Sequence, residues 1–314
     1  MSADPERSEP VKLSFPSEGG SLEGDLYLPR VDRTDGTEDR PPAGRPRPPV
    51  VVMAHGIGAE RRYGLAAFAE RFRDHGLAVL VFDYRHFGGS SGNPRRLVSP
   101  ARQLADYRAA LACVRGDPRL DGSRIGLWGT SFSGGHVLRT AADAPGGVKA
   151  VVSQIPFVSG LASSLAYPFR YQLPAIALGL TDAARSVFGL PPLTVPIVRK
   201  RGLALLASPD SHDGYLSLVP DDAPPPGPVP ARTFLQVLRY HPGRRAARIR
   251  IPTLILGASD DRVCPIGATR RVARRLRNGQ LEEFPIGHFD AYHGEWFEAV
   301  SARATEFFVE YLRR

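Results

Sequence analysis

The sequence predicts an α/β fold: a mostly parallel central sheet of about eight strands, helices on both of its faces, and a helical cap inserted over one edge. Three observations carry this. From Val50 onward, apolar runs of strand length alternate with longer amphipathic stretches, the rhythm of strands joined by covering helices. The 314 residues, 42% hydrophobic and 23% charged, suit one large unit with an insertion better than two independent domains. The rhythm breaks once, between Pro156 and Ile249, where prolines, aromatics and apolar pieces such as Ala175–Leu180 and Gly202–Ala207 mix.

Taken in order, Val11–Phe15 and Leu22–Leu28 read as two strands of a hairpin turning at Ser17-Glu18-Gly19-Gly20. Residues 29–49 carry almost no large apolar side chain and read as a mobile loop. The buried strands follow: Val50–Ala54, Ala78–Phe82, Ile125–Trp128, Val148–Ser153, Thr253–Leu256 and Leu281–Phe284. Helical patterns fall near Leu65–Asp74, Ala101–Val114, Gly134–Ala142, Ile266–Leu276 and Glu295–Leu312. The organisation expected is a core of residues 1–155 and 250–314, with 156–249 as a cap or lid. A functional site belongs at the carboxyl edge of such a sheet.

The net charge of +9 raises the question of nucleic acid. Only Lys12, Lys149 and Lys200 are lysines, so the excess is arginine scattered along the chain. Arg270, Arg271, Arg274, Arg275 and Arg277 sit at helical spacing and read as one solvated face. No recognition motif accompanies them, and nucleic acid is not expected as a partner. Cys113 and Cys264 are far apart and outside ligand spacing, which fits a reducing compartment and argues against a disulfide scaffold or zinc site. No run approaches a membrane span, and Met1–Pro10 lacks the apolar core of a signal peptide. A cytoplasmic protein is expected.

The most informative passage is Gly126-Leu127-Trp128-Gly129-Thr130-Ser131-Phe132-Ser133-Gly134-Gly135: an apolar strand, a turn of small residues around a serine, then a helix. A serine on such a turn takes a strained conformation that lifts its hydroxyl out of the sheet, and bulky flanking residues would collide. Ser133, inside the helix start, is the competing nucleophile. Downstream, Ile251–Pro265 is a strand ending in Asp260-Asp261, and alignment on Pro252 and Pro265 puts Asp261 in the acid position with Asp260 as alternative. Next comes a strand leading into Gly287-His288, with His288 as general base and His293 the nearby competitor. The order Ser, Asp, His, each after a strand, is far more specific than any one residue. After the strand at Val50, His55-Gly56-Ile57-Gly58 reads as an oxyanion loop, with the N–H groups of Ile57 and Phe132 as donors and His55 as a brace. Asp83 or Arg85 braces the glycine-rich loop Gly88–Gly92, read as a pocket rim or a plain turn. The cap aromatics Phe157, Tyr167, Phe169 and Tyr171 suggest an apolar pocket lining. His75, His136, His212 and His241 read as surface or structural residues.

Together, Phe82-Asp83-Tyr84-Arg85 with Gly88-Gly89-Ser90-Ser91-Gly92, Gly129–Gly135 and Gly287-His288-Phe289-Asp290 resemble the α/β-hydrolase superfamily. The resemblance is strongest to its bacterial dienelactone-hydrolase-like and X-Pro dipeptidyl-peptidase-like branch. Dienelactone hydrolases proper use cysteine where Ser131 stands, and Ser133 replaces the second glycine of the usual elbow. The resemblance implies acyl transfer through Ser131, His288 and Asp261, without metal or organic cofactor. The expected activity is carboxylesterase-like, on a small to medium, partly apolar ester. A thioesterase or acyltransferase of secondary metabolism would use the same triad. A non-catalytic ligand-binding protein on a hydrolase scaffold is the reading from another class. The expected partner is a small-molecule ester or thioester, and a homodimer stays open.

Overall fold

The computed structural model describes residues 9–29 and 46–313. Eight strands form one sheet: β1 (Val11–Ser17), β2 (Gly20–Tyr27), β3 (Pro49–Ala54), β4 (Ala78–Phe82), β5 (Asp121–Thr130), β6 (Val148–Gln154), β9 (Thr253–Ala258) and β10 (Gly279–Phe284). A two-residue pair, β7 (Thr194–Val195) with β8 (Val229–Pro230), stands apart. The sheet order is β1-β2-β4-β3-β5-β6-β9-β10. β1 pairs antiparallel with β2, and β2 with β4, while every later neighbour is parallel. Most of the 29–49 segment read as a mobile loop lies outside the described residues, and its last residue, Pro49, is buried at the start of β3.

Parallel strands covered on both faces bury side chains in both directions, and β3 shows how. Val50, Val52 and Ala54 enter one core, and Val51 and Met53 the other. The first core is completed by helices α2 (Pro100–Gly116), α3 (Phe132–Ala141) and α8 (Ile266–Ala273). The second packs α1 (Ala66–Asp74) and α9 (Gly294–Leu312), where Phe68, Phe72, Phe307 and Phe308 are fully buried. Each such ring contributes about 1.5–3 kcal/mol relative to leaving it in water.

Between β6 and β9 lie four α-helices, α4 (Gly160–Ala166), α5 (Phe169–Val187), α6 (Ser211–Leu216) and α7 (Thr233–Arg239). α4 packs on α7, and so does α5. Gly179 makes the second approach close, since a Cβ there would lie 3.1 Å from Leu235. The sheet's order reverses between β3 and β5, the crevice where such sheets bind ligands. Both strands end in the loops singled out from sequence.

The first core also holds two neutral histidines. His136 is enclosed, with Tyr240 Oη donating to Nδ1 (2.7 Å) and Nε2–H donating to Gln103 Oε1 (3.1 Å). Burial, aided by nearby His55, pushes its pKa from 6.5 down to about 3, and burial lowers that of His55 as well. The unfolded chain therefore takes up protons below about pH 6.5 that the folded chain refuses. Stability is complete above that pH and is lost progressively as pH falls toward the depressed native value. From pH 7 to pH 5, His136 alone is expected to remove about 2 kcal/mol of unfolding free energy. Urea titrations at the two pH values check this, and His136→Gln should flatten the dependence.

Candidate active site

β5 ends at Thr130 and α3 begins at Phe132, so a single residue makes the turn. Ser131 makes it at φ 54°, ψ −117°, a conformation that costs a non-glycine residue about 1–3 kcal/mol. Its surroundings hold it there. Ser131 N–H donates to Gln154 O (3.0 Å), and Ser131 O accepts from Gly135 N–H (3.3 Å) and Phe157 N–H (2.8 Å). A Cβ at Gly129 would meet Ser133 O at 2.3 Å, and one at Gly135 would meet Phe157 O at 2.2 Å. Glycine at these positions lets the turn close and lets α3 lie directly on the segment after β6.

Ser131 Oγ lies 3.0 Å from His288 Nε2, and His288 Nδ1 lies 2.7 Å from Asp261 Oδ2. All three side chains are buried, Ser131 at 8% exposure retaining a sliver of access. The other carboxylate oxygen, Asp261 Oδ1, accepts N–H bonds from Val263 and Cys264, both 2.7 Å. The acid is thus fixed by its own loop and faces the imidazole. Asp260, its neighbour, is exposed and shares only its backbone N–H, with Ile286 O (3.0 Å). His293 N-caps α9 and bonds Ser217 Oγ through Nε2 (2.8 Å), away from the serine.

Ser133, fully buried, points away from His288. Tyr84 Oη donates to Ser133 Oγ (2.6 Å), and Ser133 Oγ donates to the carbonyl of His55. The hydroxyl that replaces the usual glycine therefore ties the elbow helix to the loop after β3. In that loop Gly56 approaches so closely that an added Cβ would lie 3.4 Å from Ser131 Cβ. The next residue, Ile57, lines the cavity beside Ser131. Phe132 occupies the first turn of α3, where N–H groups lack intrahelical acceptors. Asp83 accepts from Arg61 N–H (2.7 Å) and the Arg61 guanidinium, while Arg85 pairs with buried Asp106 (2.8 Å). Both therefore brace loops behind the site. His55 Nδ1–H turns to Gly56 O (2.9 Å), within its own loop.

Sequence spacing gave no hint of one neighbour. Cys264 is buried, and its ligand atom lies within 4.8 Å of those of Asp261 and His288. It is three residues beyond Asp261, but His288 joins it only through the fold. Burial, with the Asp261 charge adding, holds its thiol well above the usual range, so it stays protonated. Both Asp261 oxygens are committed to hydrogen bonds, which suits an imidazole-orienting acid better than a metal ligand.

A cavity of about 250 Å³ opens from Ser131 toward α4, α5 and α7. Its walls include Phe132, Phe157, Tyr167, Leu205, Phe234 and Val237, and among the described residues its only charged lining is Arg262. Of the four cap aromatics expected to line a pocket, Phe157 and Tyr167 do. Phe169 instead faces solvent at 84% exposure, and Tyr171 lies outside the cavity against Arg170. The helical phase of α5 explains this: Ala175 and Gly179 face inward, and Phe169 lies well round the helix from them. A separate cleft of about 420 Å³ beside the β1–β2 hairpin, lined by Arg85, His86 and Arg102, includes none of the three hydrogen-bonded residues.

An eight-stranded, mostly parallel sheet with a strained serine between strand and helix defines a serine hydrolase of α/β-hydrolase fold. The chain belongs to the family described as "Serine aminopeptidase, S33", whose pattern matches residues 45–298. It is 44% identical over 260 residues to the quorum-quenching protein AidA of Acinetobacter baumannii, covering 82% of this chain and 85% of that one. It is 29% identical to the thiohydrolase aneE of Aspergillus aculeatus, covering 99% and 96%. The crystal structure of the α/β hydrolase GrgF from Penicillium sp. superposes with a TM-score of 0.77 at 21% identity, over 97% of this chain and 99% of that one.

Proposed function

We propose that this chain hydrolyses carboxylic esters whose acyl part is apolar, through an acyl-enzyme on Ser131. The observation that carries this is the hydrogen-bonded series Ser131–His288–Asp261 opening onto an apolar cavity. His288 Nε2 takes the Ser131 proton as Oγ attacks the carbonyl carbon. The N–H groups of Ile57 and Phe132 stabilise the oxyanion, and Asp261 holds His288 in the tautomer that carries its proton on Nδ1. His288 then hands the proton to the leaving alkoxide. Water, deprotonated by the same imidazole, releases the acid and restores Ser131. Residues 156–249 serve as the cap that walls the acyl pocket. The likeness to a quorum-quenching protein favours a signalling compound as the natural substrate. The likeness to a thiohydrolase favours thioesters as the second reading. Peptides are disfavoured despite the family's name, because the described residues that line the cavity offer no carboxylate to an amino terminus.

Chain-length series test this. With p-nitrophenyl esters from acetyl to octanoyl, kcat/KM is expected to rise about fourfold per added methylene until the pocket is full, from ~0.8 kcal/mol per buried CH₂. Acyl-thioesters, acyl lactones and aminoacyl anilides complete the panel. Faster turnover of anilides than of esters would overturn the ester reading, and a flat chain-length profile would overturn the apolar pocket.

A further inference from the structure

The helix α5 presents Phe169, Leu173, Ile176, Leu180 and Val187, spaced by three, four or seven residues, as one stripe. Its buried positions Ala175, Gly179 and Asp182 lie about a third of a turn round the helix from it. The stripe faces solvent: Leu173 is 74% exposed and Val187 81%, with Phe188 at 78% continuing it. On α4, Leu161 and Leu165 are exposed as well. Leu161, Leu165 and Ile176 also line the cavity that reaches Ser131. Three exposed apolar residues of α4 and α5 therefore also wall the cavity that reaches the candidate active site. Large apolar side chains exposed side by side mark a docking surface.

Charge selects the occupant. Residues 156–209 contain five basic side chains, Arg170, Arg185, Arg199, Lys200 and Arg201, and one acidic one, Asp182. Asp182 is fully buried and held by Arg232 and the N–H groups of Leu193 and Arg232. The exposed turn Arg199-Lys200-Arg201 is tethered to α5 by the Gly202 N–H bond to Tyr171 Oη (3.2 Å). The α5 face and the 199–201 turn therefore carry an excess of exposed basic side chains, with Asp213 of α6 as an acidic neighbour of Lys200. A second copy docking face to face would bring arginine toward arginine. An anionic lipid surface meets both the stripe and the rim, as it does for helices that lie in a headgroup layer. At 19 residues α5 is about 28 Å long, yet no helix among the described residues is long and apolar enough to cross a membrane.

We propose that the α4–α5 face docks the protein on anionic lipid surfaces, α5 lying in the headgroup plane with the cavity mouth against the acyl layer. Docking is independent of catalysis. Entry of apolar substrates directly from the lipid is a consequence that rests on the ester-hydrolase reading.

Flotation with phosphatidylcholine–phosphatidylglycerol vesicles tests it, using wild type and the Ser131→Ala variant so that docking is read without turnover. Both are expected to float with anionic vesicles, and at least tenfold less with pure phosphatidylcholine. The double variant Leu173→Glu/Leu180→Glu and the triple variant Arg199→Glu/Lys200→Glu/Arg201→Glu should each lose roughly tenfold or more of the binding. Both should keep the wild-type Tm and turnover of a soluble short-chain ester. Failure of wild type to float overturns the proposal, as does flotation of the variants at wild-type levels. So does a dimer in sedimentation that Leu173→Glu/Leu180→Glu dissociates while no protein binds vesicles, which would make a second copy the occupant.

Discussion

Alanine in place of Ser131 is expected to lower ester turnover by on the order of 10⁴-fold or more, to the level that binding and oxyanion donors supply alone. The loss should fall on kcat, since removing one hydroxyl leaves the cavity walls and the donors of the adjacent loops unchanged. A fluorophosphonate should label wild type at Ser131 and leave the variant unmodified, as mass spectrometry of the labelled peptide would report. A folded wild type that is not labelled would favour the ligand-binding reading. The strained backbone offers an independent check. At φ 54° the native residue costs energy that glycine does not, so Ser131→Gly should be inactive yet about 1 kcal/mol more stable in urea unfolding. A residue kept in a costly conformation that glycine would relieve is kept for its side chain. Alanine, equally strained, should leave stability near the wild-type value.

The parts of this molecule legible in the sequence are those set by local chemistry. Apolar runs such as Val50–Ala54 and Ala78–Phe82 had nowhere to go except a sheet covered on both faces, and all eight expected strands form it. The serine turn was legible because steric demand restricts residues on both sides of Ser131, and Gly129 and Gly135 meet backbone where a Cβ would stand. Other features depend on partners distant in the chain. From sequence Ser133 is a competing nucleophile that replaces the elbow's second glycine, whereas its hydroxyl joins Tyr84 to the His55 carbonyl, 49 and 78 residues away. Spacing gives Cys264 no partner along the chain, and only the return of the chain after β10 brings His288 beside it. The segment 156–249 misleads for another reason. Aromatics at Phe169 and Tyr171 looked like pocket walls because composition does not reveal helical phase, and that phase is set by the small residues Ala175 and Gly179.

Two adjacent aspartates invite a sharper experiment. Asp261→Asn is expected to lower kcat by about 10⁴-fold with KM nearly unchanged, because the amide can present its NH₂ to His288 Nδ1 and stabilise the wrong tautomer. The loss should ease as pH is raised and hydroxide substitutes for the missing base. Asp260→Asn should stay within about twofold of wild type, since Asp260 is exposed and only its backbone bonds to the neighbouring loop. Asp261 also holds the N–H groups of Val263 and Cys264, so the asparagine variant keeps an oxygen there and should lose no more than about 1–2 kcal/mol of stability. Alanine would empty that position, leave two buried N–H groups unpaired and confuse folding with catalysis. If Asp260→Asn proves the damaging change, the acid must reach His288 from a loop conformation other than the one described, and Asp261 would serve only to hold its own loop through Oδ1.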